Sequence, residues 1–198
     1  MTCKFTRTAL ALTLALGLAG CGGGKADFPI NGTVTGLIYD GLVLNTNGMN
    51  LPVAKASTTF SFPNALSYGE AYAVTALPMP QHQTCVVTNG SDTAGRLAAI
   101  NISVVCAPKQ STISGTISTT GNMTTAGLVL TNGSSGGTVT LAAGATAFTF
   151  AAPVSYGVSY GVTVLSQPAG ATCTVAPNGT GIMGDDAIPN IAVNCVAN

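Results

Sequence analysis

From Phe28 onward, apolar and small polar residues alternate with a period of two, the period of strands that bury one face. Phe28 to Thr35 opens the series, and Ile113 to Ser118 repeats its pattern. Gly41-Leu42-Val43-Leu44 and Gly127-Leu128-Val129-Leu130 are short apolar runs, followed by Asn47-Gly48 and Asn132-Gly133. Each predicts a strand entering a turn, since Asn and Gly tolerate positive φ. Weaker strands are expected over Leu51 to Lys55 and Thr138 to Ala142, stronger ones over Thr58 to Phe62 and Ala147 to Phe150. In the stronger ones, phenylalanines two positions apart face one side, which nominates Phe60, Phe62, Phe148 and Phe150 for the core. After the turn Ser67-Tyr68-Gly69, Tyr72, Val74 and Ala76 share the face of another strand. Thr84 to Thr88 with Ile100 to Ala107, and Thr172 to Ala176 with Ile188 to Val196, complete the set. No window beyond the leader sustains a helical period.

The pattern occurs twice. Phe60 to Cys85 returns as Phe148 to Cys173 at a constant offset of 88, with 12 of 26 aligned positions identical and no gap. Such density marks a duplicated folding unit of about seven short strands, spaced as in immunoglobulin-type sandwiches. The expected fold class is therefore all-β, with two tandem seven-stranded Ig-like β-sandwich domains over residues 28–107 and 112–198. Residues 108–111, around Lys109, form the linker, and its shortness predicts two sandwiches end to end with limited freedom. The second copy carries wider Gly/Ser/Thr-rich loops, at Thr119 to Ala126 and Gly133 to Gly137.

Residues 1–20 belong to export. Lys4 and Arg7 supply a positive start, and Ala9 to Leu18 an apolar stretch too short to span a bilayer of about 30 Å. Leu18-Ala19-Gly20-Cys21 then resembles the bacterial lipobox, which implies a lipoprotein signal peptide cut before a lipidated Cys21. An ordinary secretory signal would leave Cys21 as a free thiol on an exported chain, a liability. At about 0.8 kcal/mol per buried methylene, several acyl chains make attachment nearly irreversible. Residues 21–27 become the lipidated cysteine and a Gly-rich tether. Gly22 stands where lipoproteins kept at the inner membrane usually carry Asp, so the resemblance implies a cell-envelope location at the outer membrane.

Charge and cysteine content narrow the partners. The chain has 6 basic and 6 acidic residues in 198, 6% charged against about 25% for an ordinary domain, and no basic patch, which argues against nucleic acid. Beyond Cys3 and Cys21 remain Cys85, Cys106, Cys173 and Cys195, and each copy holds two at nearly equal separation. Cys85 is accordingly paired with Cys106, and Cys173 with Cys195, each closure contributing about 3 kcal/mol in the chain-entropy model. Zinc would require closely spaced pairs, which the sequence lacks.

Candidate chemistry is sparse. Gly157-Val158-Ser159-Tyr160-Gly161 fits the G-x-S-x-G pattern, but a hydrolase elbow needs a strand-to-helix turn, a histidine base and an acid. This stretch runs into a strand, and Ala71 stands in the place of Ser159 in the first copy. His82, the single histidine, lies in a Pro-bounded loop whose counterpart is Gly170, and reads as a solvated side chain. Asp185-Asp186 reads as a turn before the last strand, since calcium takes about six to eight oxygens. Asp27, Asp40, Glu70 and Asp92 fall in separate turns and nominate no facing carboxyl pair for glycoside hydrolysis. The sequons beginning at Asn31, Asn89, Asn101, Asn122, Asn132 and Asn178 follow from composition. No catalytic residue, metal site or cofactor is nominated.

The order strand, Gly-Leu-Val-Leu, Asn-Gly, Phe-x-Phe, Tyr-Gly-x-x-Tyr-x-Val-Thr, Pro, Cys, Asn-Gly, Val-x-Cys resembles tandem repeats of proteobacterial surface lipoproteins, as an Ig-like or transthyretin-like sandwich. The resemblance spans nearly everything after Ala26 and implies a spacer or interaction module with no catalytic residues. The expectation is a non-enzymatic, lipid-anchored envelope protein, structural or adhesive, whose partners are the membrane, envelope proteins or glycans. The alternatives are a carbohydrate-binding surface module, for which Tyr39 is the one tyrosine without a counterpart, or an accessory subunit of an envelope complex.

Overall fold

The computed structural model describes residues 26–133 and 136–198, so Cys21 and the expected signal peptide lie outside the described residues. The first half is built from β1 (Asp27–Thr35), β2 (Leu42–Thr46), β3 (Met49–Val53), β4 (Thr59–Ser67), β5 (Ala71–Ala73), β6 (Thr75–Ala76), β7 (Gln83–Thr88), β8 (Ser91–Thr93) and β9 (Ile100–Pro108). The second half follows with β10 (Gln110–Ser111), β11 (Ile113–Thr120), β12 (Val129–Asn132), β13 (Thr138–Thr140), β14 (Ala147–Thr149), β15 (Val154–Ser155), β16 (Ser159–Ser166), β17 (Ala171–Val175), β18 (Thr180–Ile182) and β19 (Ile188–Ala197). The one helical element among the described residues is a 3-10 turn at Pro177–Gly179. The chain is an all-β protein of the Ig-like sandwich class.

The two halves have the same sheet order. One sheet runs β4-β1-β9-β7 and its counterpart β14-β11-β19-β17, with β1 parallel to β9 and β11 parallel to β19. The facing sheet in the second half runs β13-β12-β16-β18. In the first half β3-β2-β6 is continued by β5-β8, because β5 and β6 are one strand interrupted at Val74, whose N–H donates to the Gly90 carbonyl at 2.7 Å. Each sandwich thus gains the short strand β8 or β18 over the seven read from spacing. At three residues each, these strands are too short to show alternation.

Two cores fill the sandwiches. One takes Ile30, Leu44, Phe60, Phe62, Tyr72 and Val104, among others, and the second Ile113, Leu130, Phe148, Phe150, Met183 and Ile191. All four nominated phenylalanines are buried, and within each pair the rings meet edge to face at 6.0 and 5.9 Å. Gly32 sits opposite Phe60 and Gly115 opposite Phe148 in the ladders. A Cβ on Gly32 would lie 2.1 Å from the Ile102 carbonyl oxygen and 2.8 Å from the Phe60 ring; on Gly115, 2.0 Å from the Ile191 oxygen and 2.6 Å from the Phe148 ring. In each half the first phenylalanine therefore covers a bare stretch of the neighbouring backbone.

Cys85 faces Cys106 across β7 and β9, and Cys173 faces Cys195 across β17 and β19. Each pair is joined by a disulfide and buried against its core. Asn47-Gly48 forms the two-residue turn between β2 and β3, at φ 46° and 75°. Asn132 ends β12 and the chain turns after it at Gly133, φ 62°, as read, but the asparagine side chain itself does other work: it is buried, and its Oδ1 accepts the Gly161 N–H at 2.8 Å. Thr46 does the same work in the first half, its hydroxyl accepting the Ala73 N–H at 3.3 Å. Asn132 is thus the counterpart of Thr46 and not of Asn47.

Candidate functional site at the junction of the two halves

The densest group of ionisable side chains among the described residues lies where the chain passes from β9 to β11. The linker runs nearly extended. Lys109 N–H donates to the His82 carbonyl at 2.8 Å, Tyr156 N–H donates to the Lys109 carbonyl at 2.8 Å, and β10 pairs antiparallel with β15. The linker backbone itself is thereby hydrogen-bonded to both halves.

Three side chains stack over this backbone. The His82 imidazole lies flat on the Tyr156 ring, centroids 3.8 Å apart and planes 7° from parallel. Tyr39 meets both edge-on, at 5.3 and 6.0 Å. The first half places its two contributors through Gln83, a core-facing polar residue with no exposed surface. Gln83 Oε1 accepts the N–H groups of Ile38 and Tyr39 at 2.9 and 3.0 Å, while Nε2 donates to the Gly36 carbonyl at 2.7 Å. This fixes the loop that carries Tyr39. His82 precedes Gln83 and sits at φ 60°, a conformation that its counterpart Gly170 adopts at 70° without a Cβ penalty. Holding a non-glycine residue there costs on the order of 1 kcal/mol, which the stack offsets.

Asp185 closes the cluster. Its Oδ2 lies 2.9 Å from His82 Nδ1 and 3.6 Å from Lys109 Nζ, and the Ser111 hydroxyl donates to its carbonyl at 3.0 Å. Asp185 Oδ1 is buried without a hydrogen-bond partner. A groove of about 400 Å³ lined by Thr84, Lys109, Gln110 and Asp185 opens beside it. The reading of His82 as a solvated loop side chain is therefore corrected: its side chain is 28% exposed, stacked and paired with a carboxylate 103 residues away. Gln83 was not singled out by sequence. A glutamine in register with Cys85 on an inward face was the available signal.

Chemically, a His-Asp pair is two-thirds of a hydrolytic triad, but the third part is a hydroxyl bonded to the imidazole. Among the described residues, Asp185 is the side chain hydrogen-bonded to His82, and the imidazole face is covered by Tyr156. The arrangement joins the two halves, and among the described residues no hydroxyl or thiol is hydrogen-bonded to the His82 imidazole. Ser159, of the G-x-S-x-G match, lies in β16 and pairs with Ile182. Among the described residues no three His, Cys, Asp or Glu side chains cluster as metal ligands. The groove of about 450 Å³ between β16 and β17, lined by residues such as Val162, Val175 and Pro177, holds no titrating side chain.

No family model and no curated protein matches the sequence. Solved structures do. The Bacillus anthracis TIE protein superposes with a TM-score of 0.50 at 14% identity, over 86% of this chain and 34% of that one. The pilus adhesin SpaC of Lactobacillus rhamnosus GG matches at 0.34 and 13% over 86% of this chain and 31% of its own, and the major pilin T-13 of Streptococcus pyogenes at 0.27 and 13% over 88% and 98%. The chain spans about a third of the first two. The likeness to the TIE protein is one of fold.

Proposed function

We propose that this chain is a non-enzymatic cell-envelope lipoprotein, anchored by acylated Cys21 at the outer membrane, whose two sandwiches act together as a structural or adhesive module toward envelope proteins or glycans. The observation that carries the reading is the junction. Main-chain pairing of β10 with β15 and the Tyr39, His82, Tyr156 stack bind two disulfide-bonded units to each other. A module that displays a surface away from a membrane needs such stiffness, whereas the ionisable groups at the junction are consumed in holding it. The duplication, the lipobox-like Leu18 to Cys21 and the scarcity of charge support the same reading.

The test is expression of the full chain in a Gram-negative host, followed by membrane fractionation and mass spectrometry of the mature N-terminus. A diacylglyceryl adduct on Cys21, lost together with membrane association in Cys21→Ser, is the expected result. A water-soluble product with a free Cys21 thiol overturns the anchor. Turnover of an ester or glycoside panel that disappears in His82→Gly overturns the non-enzymatic part.

A further inference from the structure

Tyr72 and Tyr160 occupy corresponding places in the two halves, yet their surroundings differ. Tyr160 stands opposite Gly181, and its ring lies so close that a Cβ on that glycine would come within 2.8 Å of the hydroxyl. The Tyr160 hydroxyl donates to the Asn178 carbonyl at 3.5 Å. Tyr72 instead stands opposite Asp92. Its ring is buried in the first core with 7% of the residue exposed, and a cavity of about 270 Å³ opens between Tyr72, Asn89, Ser91, Asp92, Leu97 and Asn101. In the second half the tyrosine ring itself covers Gly181.

We propose that this cavity in the first half binds a neutral saccharide. A sugar offers adjacent hydroxyls, each able to donate and to accept, and the wall answers with complementary groups. Asp92 accepts the Thr93 N–H at 2.8 Å and the Arg96 guanidinium at 3.2 Å, both through Oδ1, and among the described residues Oδ2 has no protein donor. Asn89 and Asn101 bring two carboxamides and Ser91 a hydroxyl. Asn89, at φ 58°, and Gly90 form the turn between β7 and β8. Burial, and then the neighbouring Asp92 charge, raise the Tyr72 phenol above its ordinary range, so at neutral pH it stays a donor. Leu97, 64% exposed, supplies an apolar rim for the C–H face of a ring.

Charge selects against other ligands. Asp92 and the Arg96 guanidinium paired with it offer no net charge to an anion, and a metal ion would find one carboxylate with an oxygen already taken. The inference rests on the adhesive part of the proposed function and is independent of the lipid anchor.

The test is a titration of ¹⁵N-labelled protein with glucose, galactose, mannose and N-acetylglucosamine and their disaccharides, followed by amide shifts. At least one sugar is expected to shift Ser91, Asp92 and Asn101 with a Kd of about 1 mM or tighter. Tyr72→Phe keeps the buried ring, and Asn101→Ala changes an exposed strand position; each should weaken binding about tenfold. Tyr160→Phe should leave it unchanged. A flat titration with every sugar, affinity that survives both variants, or a response confined to the second half overturns the site. So does a response to extended peptides alone. A flat titration beside an acylated Cys21 removes the saccharide site and leaves the anchor standing.

Discussion

The glycines under the phenylalanines give the sharpest stability prediction. Gly32→Ala places a methyl group 2.1 Å from the Ile102 carbonyl oxygen and 2.8 Å from the Phe60 ring. A carbon needs roughly 3.5 Å from such atoms, so the facing strand must retreat by more than about 1 Å. Ladder hydrogen bonds span only about 2.7 to 3.2 Å, and a retreat of that size breaks those nearest the site. Two lost bonds at about 1 kcal/mol each, with overpacking of about 1 to 3 kcal/mol, give an expected loss of about 3 to 5 kcal/mol. Gly115→Ala should cost as much, since its Cβ would meet the Ile191 oxygen at 2.0 Å and the Phe148 ring at 2.6 Å.

Urea unfolding followed by circular dichroism measures the effect, with the midpoint expected to fall by roughly 1 to 5 M at an ordinary m-value. Gly48→Ala is the control. It has positive φ but open space around it, so it should cost only about 1 kcal/mol of conformational strain. Phe60→Leu added to Gly32→Ala relieves the ring contact and not the carbonyl contact, so rescue should be partial. A Gly32→Ala cost no greater than that of Gly48→Ala would mean that β9 and β4 do not approach β1 this closely, and would refute the prediction.

Other expectations follow from the same structure. Removing either disulfide, as Cys85→Ser with Cys106→Ser or Cys173→Ser with Cys195→Ser, should cost about 3 kcal/mol, read as a lower midpoint in denaturant, because each closes a loop of 21 or 22 residues. Asn132→Ala should cost about 1 to 3 kcal/mol by orphaning the Gly161 N–H, whereas Asn132→Thr, which imitates Thr46, should recover most of it in the same assay. His82→Gly keeps the backbone conformation but removes the stack and the Asp185 pair, so ¹⁵N relaxation should show the halves tumbling more independently; unchanged relaxation would refute the junction's role. The folded-state pKa of Tyr72 is raised, so stability is intact below about pH 10 and declines as pH rises above it, where only the unfolded chain ionises freely. Tyr72→Phe should flatten that decline in a pH series of unfolding curves.

What could be read from sequence and what could not divides along the range of the interactions. The phenylalanine pairs and the face of Tyr72, Val74 and Ala76 were legible because a strand's period of two is local, and its buried face shows in a few residues. Asn132 was legible as the start of a turn, because Asn followed by Gly is the signature of one, but not in the role of its side chain, since the second half widens its loop and uses the amide as a buried acceptor. The junction was illegible for a stronger reason. Its decisive contact joins His82 to Asp185, 103 positions apart, and the duplication argued against it, since the counterparts of these residues are a glycine and part of Arg96-Leu97. A site between two copies cannot be symmetric: each copy lends a different end to it. His82 and Tyr39 come from one end of the first sandwich, Tyr156 and Asp185 from the facing end of the second. Departures from the repeat, Gly170 to His82 and Gly181 to Asp92, are therefore where specialised contacts arise, while positions common to both halves report the fold they share.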